Sequence, residues 1–271
     1  EGNTVTADDC AKFMDELKKF GVIALCEEPF DCNHMTLLGE RFREHPVVAV
    51  ENGDLRVVVA PDLGGRIVDV VLKKTGAHIV GRTDPTNYFY PASGGYEEST
   101  TRTWASTGFA NPYTADVKGR TITLTGKGHN GLVFKRTITL PETGARIEIG
   151  SSVTNATKSP LIARLVMKME INAAPDSATV LAGASSEKAA DFCRDGAKKP
   201  AGSWSVTSTS GGWSMEHRFS AADIEACRLA CDRTIGTVTM EANGFERDLA
   251  PGKGISLKQV WEIKESDKVT K

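Results

Sequence analysis

The sequence predicts an all-β protein, a large antiparallel β-sandwich preceded by a short N-terminal helical segment. Three observations predict this fold class. From residue 47 onward, short apolar or alternating runs are separated by turn-forming residues, which is the pattern of β-strands and hairpins. About fifteen such runs occur, and no convincing helical period follows residue 46. A chain of 271 residues with a hydrophobic fraction of 40% can also bury a large core.

Residues 1–46 are predicted to form an N-terminal helix and a connector, ahead of a sandwich domain of residues 47–271. Thr6 is a suitable N-cap with the acidic Asp9 three residues later, and Gly21 ends the helical spacing that follows. After Gly21 no clear period is present, which indicates a connector. Such a segment either leads in from an upstream domain or caps the sandwich, and the residues favour neither.

The predicted strands follow one another with turns between them. Asn52-Gly53, Pro61–Gly65 and Thr75-Gly76 separate the first four and are typical of hairpins or turns. Residues 87–103 are less regular. The strands are expected at residues 47–50, 55–60, 66–72, 78–81, 121–125, 132–140, 146–154, 161–172, 179–182, 204–208, 213–219, 224–230, 234–241 and 255–263.

The predicted strand of residues 161–172 has two chemically different faces. Alternate residues of a strand lie on opposite faces. One face is apolar and is a predicted core face, with Ala163, Leu165, Met167, Met169 and Ile171. The other carries Ile162, Arg164, Val166, Lys168 and Glu170. Three charges on such a strand cost free energy unless they pair, meet solvent or hold a polar ligand. We therefore take Arg164, Lys168 and Glu170 as a candidate ligand site, the alternative being a solvated ladder of ion pairs.

The charge balance argues against nucleic acid and membranes as partners. The net charge is −2, with 33 basic and 35 acidic residues that are well mixed. No apolar run reaches the ~18 residues of a membrane span. A neutral partner fits better. The chain begins at Glu1 without Met, which is compatible with removal of a signal or an upstream domain, and we favour a periplasmic or secreted location.

The cysteines and motifs predict neither a metal nor a cofactor. None of the six cysteines forms a C-x-x-C pair. Cys227 and Cys231 fall in a predicted strand, where four residues separate them by ~13 Å, so we expect no bond between them. Gly64-Gly65 precedes no helical pattern and is therefore not a dinucleotide fingerprint.

Five stretches form an informative ordered set, namely Asn52–Leu55, Pro61–Ile67, Gly131-Leu132 before a KRTITL strand, Val153–Asn155 with Pro160, and Leu249–Lys253. Running from about residue 47 to residue 264, the set resembles the galactose mutarotase-like superfamily, the large β-sandwich of aldose 1-epimerases and other carbohydrate-processing proteins. The resemblance implies a sugar-related function. It also implies a domain of a bacterial protein related to glycoside hydrolases, because such domains occur there too.

The chain departs from the epimerases of this superfamily at the catalytic histidines. In those enzymes the strand equivalent to residues 161–172 carries one catalytic histidine, and an earlier strand or turn carries another. Here Lys168 or Glu170 falls near the expected position. The resemblance therefore does not carry over the proton-transfer pair of an epimerase.

A second candidate site is the glycine-rich stretch Gly94–Glu98, which is predicted to be a loop. Tyr96, Glu97 and Glu98 combine an aromatic ring with two carboxylates, a mixture suited to the apolar face and the hydroxyls of a sugar. The alternative is an ordinary surface loop whose glycines permit tight turns. Arg102 lies close enough in sequence to extend the site.

Two further residues are weaker candidates for ligand contacts. Arg66 follows a glycine turn and simply faces solvent in the plainest interpretation, whereas the resemblance implies that it reaches the binding cleft. His129 lies in the predicted turn at residues 126–131, and a lone histidine is usually a structural or a surface-exposed residue.

Three functional hypotheses follow from these residues. The first is a carbohydrate-binding domain, an accessory module of a bacterial glycan-degrading protein. The second is a diverged aldose 1-epimerase or other sugar-active enzyme, with Glu170 or Glu97 as base and Lys168 or His129 as acid. The third is a purely structural module that packs on an upstream catalytic domain, in which case protein covers the polar face.

Overall fold

The computed structural model describes residues 41–42, 45–80, 94–100, 111–128, 130–182, 185–192, 202–233 and 236–266. Within these ranges the chain has 21 strands, one short 3-10 turn at Pro175–Ser177 and one single-turn helix, α1, at Ala189–Phe192. The predicted all-β class is thus confirmed, while the predicted N-terminal helix lies outside the described residues. None of the helices in the described ranges is long and apolar enough to cross a membrane.

The strands are mostly four to ten residues long. The first eleven are β1 (Arg41–Phe42), β2 (His45–Pro46), β3 (Val48–Glu51), β4 (Leu55–Ala60), β5 (Arg66–Leu72), β6 (Ala77–Val80), β7 (Tyr96–Ser99), β8 (Tyr113–Lys118), β9 (Thr121–Lys127), β10 (Leu132–Thr139) and β11 (Arg146–Asn155). The others are β12 (Leu161–Ala163), β13 (Val166–Ile171), β14 (Ala178–Ala182), β15 (Ser185–Lys188), β16 (Ser203–Ser208), β17 (Trp213–Phe219), β18 (Ile224–Asp232), β19 (Thr237–Gly244), β20 (Arg247–Leu249) and β21 (Gly254–Glu265). Within the predicted sandwich domain they include four that were not predicted from the sequence, namely β7, β8, β15 and β20.

Two large sheets form the sandwich. The nine-stranded sheet has the order β15-β14-β16-β17-β21-β11-β10-β9-β8. The eight-stranded sheet has the order β18-β19-β13-β6-β5-β4-β3, and its eighth strand, β7, pairs with β13 and β5. Neighbouring strands run antiparallel, as predicted. The last residues of the predicted connector form the small ribbon β1–β2.

The hydrophobic core lies between the two large sheets. Period-two alternation along β11 buries Ile147, Ile149 and Val153 while their neighbours stay more exposed. The Tyr96 ring of the eight-stranded sheet meets Trp261 of the nine-stranded sheet edge to face, with ring centroids 5.0 Å apart. The inward face of each sheet is therefore mostly apolar, although a few buried polar side chains such as Arg136 and Glu98 also lie there.

The predicted strand of residues 161–172 is in fact two strands. β12 pairs with β20 in a small ribbon, whereas β13 joins the eight-stranded sheet, and Arg164 and Leu165 lie between them. The backbone N–H of Gly244 donates to the Leu165 carbonyl at 2.7 Å, and a Cβ at Gly244 would lie 2.9 Å from that oxygen. The segment thus changes its pairing from β20 to β19 at Leu165, where the Gly244 backbone lies against it.

The core face predicted for this segment is nevertheless correct. Its five apolar side chains are all at most 2% exposed, namely Ala163, Leu165, Met167, Met169 and Ile171. The period-two pattern identified these residues correctly because each strand keeps its own alternation on either side of the break.

The two cysteines of β18 are not bonded to each other, as predicted. Cys227 is free and buried, while Cys231 is disulfide-bonded. Both lie on one strand, where their separation excludes a mutual bond.

Candidate functional site

Four charged residues of alternating sign lie side by side across the eight-stranded sheet. Lys168 of β13 is paired with Glu97 of β7 on one side and with Glu241 of β19 on the other, and Glu241 is paired with Arg228 of β18. Residues paired across antiparallel strands project from the same face of the sheet. Glu97, Lys168, Glu241 and Arg228 therefore form one line, the charged row, about 14 Å long at ~4.8 Å per strand.

The charged row lies on the face of the sheet that points away from the core. Met167 and Met169, which flank Lys168 on β13, are buried between the sheets. The Lys168 side chain, by contrast, is 47% exposed, and Arg228 is exposed as well. Lys168, Glu241 and Arg228 are thus accessible to a ligand from solvent, whereas Glu97 is buried at the end of the row.

Arg66 extends this group of charges on the β5 side. Its guanidinium donates hydrogen bonds to the Glu97 carboxylate and to the carbonyl of Gly94. The other Glu97 oxygen lies 3.5 Å from the Lys168 Nζ. Glu97 is therefore held between a buried arginine and a half-exposed lysine. The structure brings together three predicted site residues, Arg66, Glu97 and Lys168.

The glycine pair before β7 explains how Glu97 reaches this position. Gly94 and Gly95 have φ values of 96° and 73°, which side chains rarely adopt. A Cβ at Gly95 would lie 2.2 Å from the Ile67 carbonyl oxygen, so only glycine permits this approach of β7 to β5. The Gly95 carbonyl also accepts a hydrogen bond of 2.8 Å from the Glu170 amide.

A cleft of about 470 Å³ lies along the outer face beside the charged row. Its polar lining includes two predicted residues and four that sequence reasoning missed, namely Lys168, Glu170, Arg228, Thr237, Thr239 and Glu241. The volume is within the usual range of small-molecule sites. Arg228, Thr239 and Glu241 alternate with buried residues on β18 and β19, a pattern that many solvated strands share, and Thr237 is itself buried, so no local signal identified them.

Arg164 does not belong to this site. Because it lies between β12 and β13, its guanidinium is directed to Glu225 and Glu246, at N–O distances of 2.7 and 3.0 Å. Arg164 was predicted to share a ligand site with Lys168 and Glu170, but it forms ion pairs with two other carboxylates and does not line the cleft beside Lys168.

Tyr96 and Glu98 face the core and not the rim of a cleft. The predicted loop is strand β7, on which both side chains point inward and are at most 3% exposed. The Glu98 carboxylate accepts hydrogen bonds from the hydroxyls of Tyr96 and Ser151, and its other oxygen lies 3.1 Å from Arg136 Nε. Burial and the nearby Glu98 charge raise the pKa of Tyr96 well above its ordinary value.

Two other predicted residues, Arg102 and His129, lie outside the described residues. Within the part of the chain that the structure describes, no group of three or more His, Cys, Asp or Glu side chains is arranged to hold a metal ion. What the outer face offers chemically is hydrogen bonding. Lys168 and Arg228 are donors, Glu97 and Glu241 are acceptors, and threonine hydroxyls can serve as either.

Known proteins that are similar to this chain are found by comparison of structures and not by comparison of sequences. No protein-family model matches the chain, and no curated protein matches its sequence. A galactose mutarotase-like protein from Lactobacillus casei superposes with a TM-score of 0.63 at 13% identity, covering 80% of this chain and 100% of that one. A galactose mutarotase related enzyme from Lactobacillus acidophilus gives 0.60 at 14% identity, covering 83% and 100%.

A TPR-domain containing protein from Parabacteroides distasonis is similar over only part of its length. It gives a TM-score of 0.62 at 16% identity, and the match covers 84% of this chain and 48% of that one. The chain thus spans about half of that protein. The antiparallel sandwich and these superpositions together show that the chain has the galactose mutarotase-like fold.

Proposed function

We propose that this chain is a carbohydrate-binding domain that holds a mono- or oligosaccharide against the charged row and its cleft. The observation that carries the proposal is the cleft on the outer face of the eight-stranded sheet, which is lined by the cations Lys168 and Arg228 and the carboxylates Glu170 and Glu241. Sugar hydroxyls both donate and accept hydrogen bonds, so one hydroxyl can bridge a carboxylate and a neighbouring cation.

The charges of this face favour a neutral ligand. This face carries equal numbers of carboxylates and cations. The three carboxylates are Glu97, Glu170 and Glu241, and the three cations are Arg66, Lys168 and Arg228. A balanced set has little net attraction for an anion or a cation but offers many polar contacts. The row is also longer than a single sugar ring, which leaves room for an oligosaccharide along it.

The setting that we propose is an accessory module of a bacterial glycan-degrading protein. The partial match to a longer bacterial protein supports a place within a larger chain. The disulfide at Cys231 supports an oxidising compartment, such as the periplasm or the cell exterior, because disulfides persist there.

A sugar-active enzyme is the second candidate, and one contact favours it. The 3.5 Å approach of the Glu97 carboxylate to Lys168 Nζ places an acceptor and a donor side by side on the outer face. Ring opening of a sugar needs a base and an acid in such proximity. The third candidate, a structural module covered by another domain, has less support, because the cleft is open in the described part of the chain.

Binding is tested by titrating the chain with glucose, galactose and their oligosaccharides in a calorimeter. Lys168→Ala/Glu170→Ala is expected to weaken binding at least tenfold, because it removes a donor and an acceptor from the cleft. Arg146→Ala/Glu148→Ala is the matched control, since it removes an ion pair with the same spacing from the outer face of the other sheet. The control is expected to bind like the wild type.

If the wild type and the folded Lys168→Ala/Glu170→Ala protein bind sugar equally well, the cleft beside the charged row is not the sugar site. Polarimetry of freshly dissolved α-D-glucose and α-D-galactose separates the two leading candidates. Acceleration of mutarotation that the double variant loses would favour the enzyme, and a lack of acceleration together with binding would favour the binding module.

A further inference from the structure

A buried ion pair lies directly behind the outer-face pair Arg66–Glu97. Arg136 of β10, in the nine-stranded sheet, is 1% exposed and reaches Glu98 of β7, in the eight-stranded sheet, which is 3% exposed. Its guanidinium carbon lies 5.4 Å from the centre of the Tyr96 ring. The pair thus crosses the core between the two sheets.

Arg136 also holds the strand that carries Arg66. Its Nη1 donates a hydrogen bond of 2.6 Å to the carbonyl of Gly65, immediately before β5. Each partner of Arg136 is therefore the sequence neighbour of a residue on the outer face. Gly65 precedes Arg66, and Glu98 follows Glu97.

Strand β7 is held more firmly on its β13 side than on its β5 side. All four of its residues are paired with β13, whereas its register with β5 is a single pair, Ile67 with Tyr96. Its position relative to β5 therefore depends more on the inward contacts. The inward side chains on either side of Glu97 are both bonded to the other sheet, Tyr96 through Gln259 and Glu98 through Arg136 and Ser151. Glu97 therefore projects from a backbone that is held from behind at the two adjacent positions.

Stability alone is a weak reason for this arrangement. Burying a guanidinium and a carboxylate costs several kcal/mol of desolvation for each ion, and apolar replacements of buried pairs are often neutral or stabilising. Among the described residues, two nitrogens of Arg136, Nε and Nη2, are also buried without a hydrogen bond, although Nε lies 3.1 Å from the Glu98 carboxylate. The contacts of Arg136 with Gly65 and Glu98 instead fix β5 and β7 relative to each other, because one side chain of the opposite sheet holds both.

We infer that Arg136 is a positioning residue, which sets the distance between Arg66 and Glu97 by holding Gly65 and Glu98 with one guanidinium. The inference rests on the proposed function for its consequence, since the position of Glu97 sets that of Lys168, which lies 3.5 Å from it and lines the cleft. Its mechanical part, the holding of β5 and β7, can be measured without any ligand.

The test compares variants by hydrogen–deuterium exchange of peptides covering residues 64–67 and 94–99. The first variant is Arg136→Met/Glu98→Gln. The methionine keeps an apolar stem but loses the contacts of the guanidinium, and the glutamine keeps an oxygen that can accept from Tyr96 and Ser151. We expect exchange at least tenfold faster in these two peptides and unchanged exchange in residues 146–154. Affinity for an oligosaccharide that the wild type binds should fall at least tenfold.

Ile138→Ala is the matched control for general destabilisation. Ile138 lies two residues from Arg136 on the same strand and faces the same core, and it is fully buried. It should lower the melting temperature without faster exchange in the two site peptides. Arg136→Lys serves as the second variant, because it keeps the charge beside Glu98 while its single ammonium replaces the planar, forked guanidinium that reaches both partners.

Three outcomes decide the inference. Selective opening of the two peptides in the Arg136 variants supports it. Exchange that is unchanged there, or that rises equally in Ile138→Ala, overturns it. If the wild type binds no sugar but the peptides open selectively, the positioning role is supported and the proposed function falls.

Discussion

Two histidines of the sandwich have shifted pKa values of opposite sign because their surroundings differ. His217 is buried, accepts a hydrogen bond from the Trp204 indole N–H at 3.1 Å, and packs against the rings of Phe219 and Trp261. Burial without a carboxylate partner lowers its pKa to about 4. His78 is hydrogen-bonded to Asp69 at 2.9 Å, and this bond raises its pKa above the ordinary value of 6.5.

The His217 shift predicts a loss of stability in acid. A pKa depressed in the folded state means that the unfolded chain binds the extra proton, so the stabilisation is complete above pH 6.5 and is lost as the pH falls towards 4. The full difference is on the order of 3 kcal/mol. We expect the free energy of unfolding of the wild type to fall relative to His217→Asn over this interval.

Urea denaturation of both proteins between pH 4 and pH 7 measures the difference. The asparagine keeps an acceptor for Trp204, and the raised pKa of His78, which contributes in the opposite direction, is common to both proteins and cancels. Parallel pH profiles would show that His217 does not titrate within this range.

At the scale of elements, β7 shows how a short strand can be determined by its turn. Any larger residue at Gly95 would have to adopt a positive φ of 73°, and its Cβ would lie 2.2 Å from the backbone oxygen of Ile67. Since that oxygen belongs to the backbone of β5, the clash can be relieved only by moving one of the strands.

Gly95→Ala is therefore expected to lower the free energy of unfolding by about 3 kcal/mol or more. Gly76→Ala is the matched control, with a φ of 70° but no atom within 4 Å of the new Cβ, and should cost about 1 kcal/mol. Chemical denaturation measures both. Equal losses would mean that backbone conformation alone requires the glycine and that the approach of β7 to β5 adds nothing.

The segment of residues 161–172 shows what period-two analysis can and cannot predict for an element. The alternation correctly separated core residues such as Met167 and Met169 from outward ones such as Lys168. It could not show that β12 and β13 belong to different sheets, because that depends on β20 and β19, far along the chain. The misplaced residue, Arg164, lies at this change of partner.

For the whole molecule, the Asn52-Gly53 turn connects the two sheets. The Asn52 side chain accepts hydrogen bonds from the amides of Asp54 and Leu55 within its own hairpin. Its Nδ2 donates to the carbonyls of Pro141 and Gly144, in the loop between β10 and β11 of the other sheet. The turn was predicted from the sequence, whereas this second role was not.

Asn52→Ala is expected to lower the free energy of unfolding by about 2–4 kcal/mol, because it breaks four hydrogen bonds and leaves their backbone partners poorly satisfied. Asn130→Ala, which removes one local bond of 3.2 Å to the Leu132 amide, should cost less than about 1 kcal/mol. Urea titrations compare the two variants. Similar small losses would show that water replaces the Asn52 contacts between the sheets.

The sequence by itself determined the all-β class, the turns and the core faces, because each depends on residues that are neighbours along the chain. Apolar alternation predicts which face of a strand is buried, and Asn-Gly or Gly-Gly predicts where the chain turns. Arg66, Glu97 and Lys168 were separate candidates in the sequence, and the candidacy of Arg66 also drew on the family resemblance; their proximity was not predicted.

Only the tertiary structure decided the composition of the charged row. Glu241 and Arg228 join Lys168 through the register of β13, β19 and β18, whereas Glu98, one residue from Glu97, faces the core and binds Arg136. A shift of one residue in register would turn every side chain of a strand to the opposite face. Local patterns do not specify which distant strands pair or in which register, so the site appears only when the sheet is assembled.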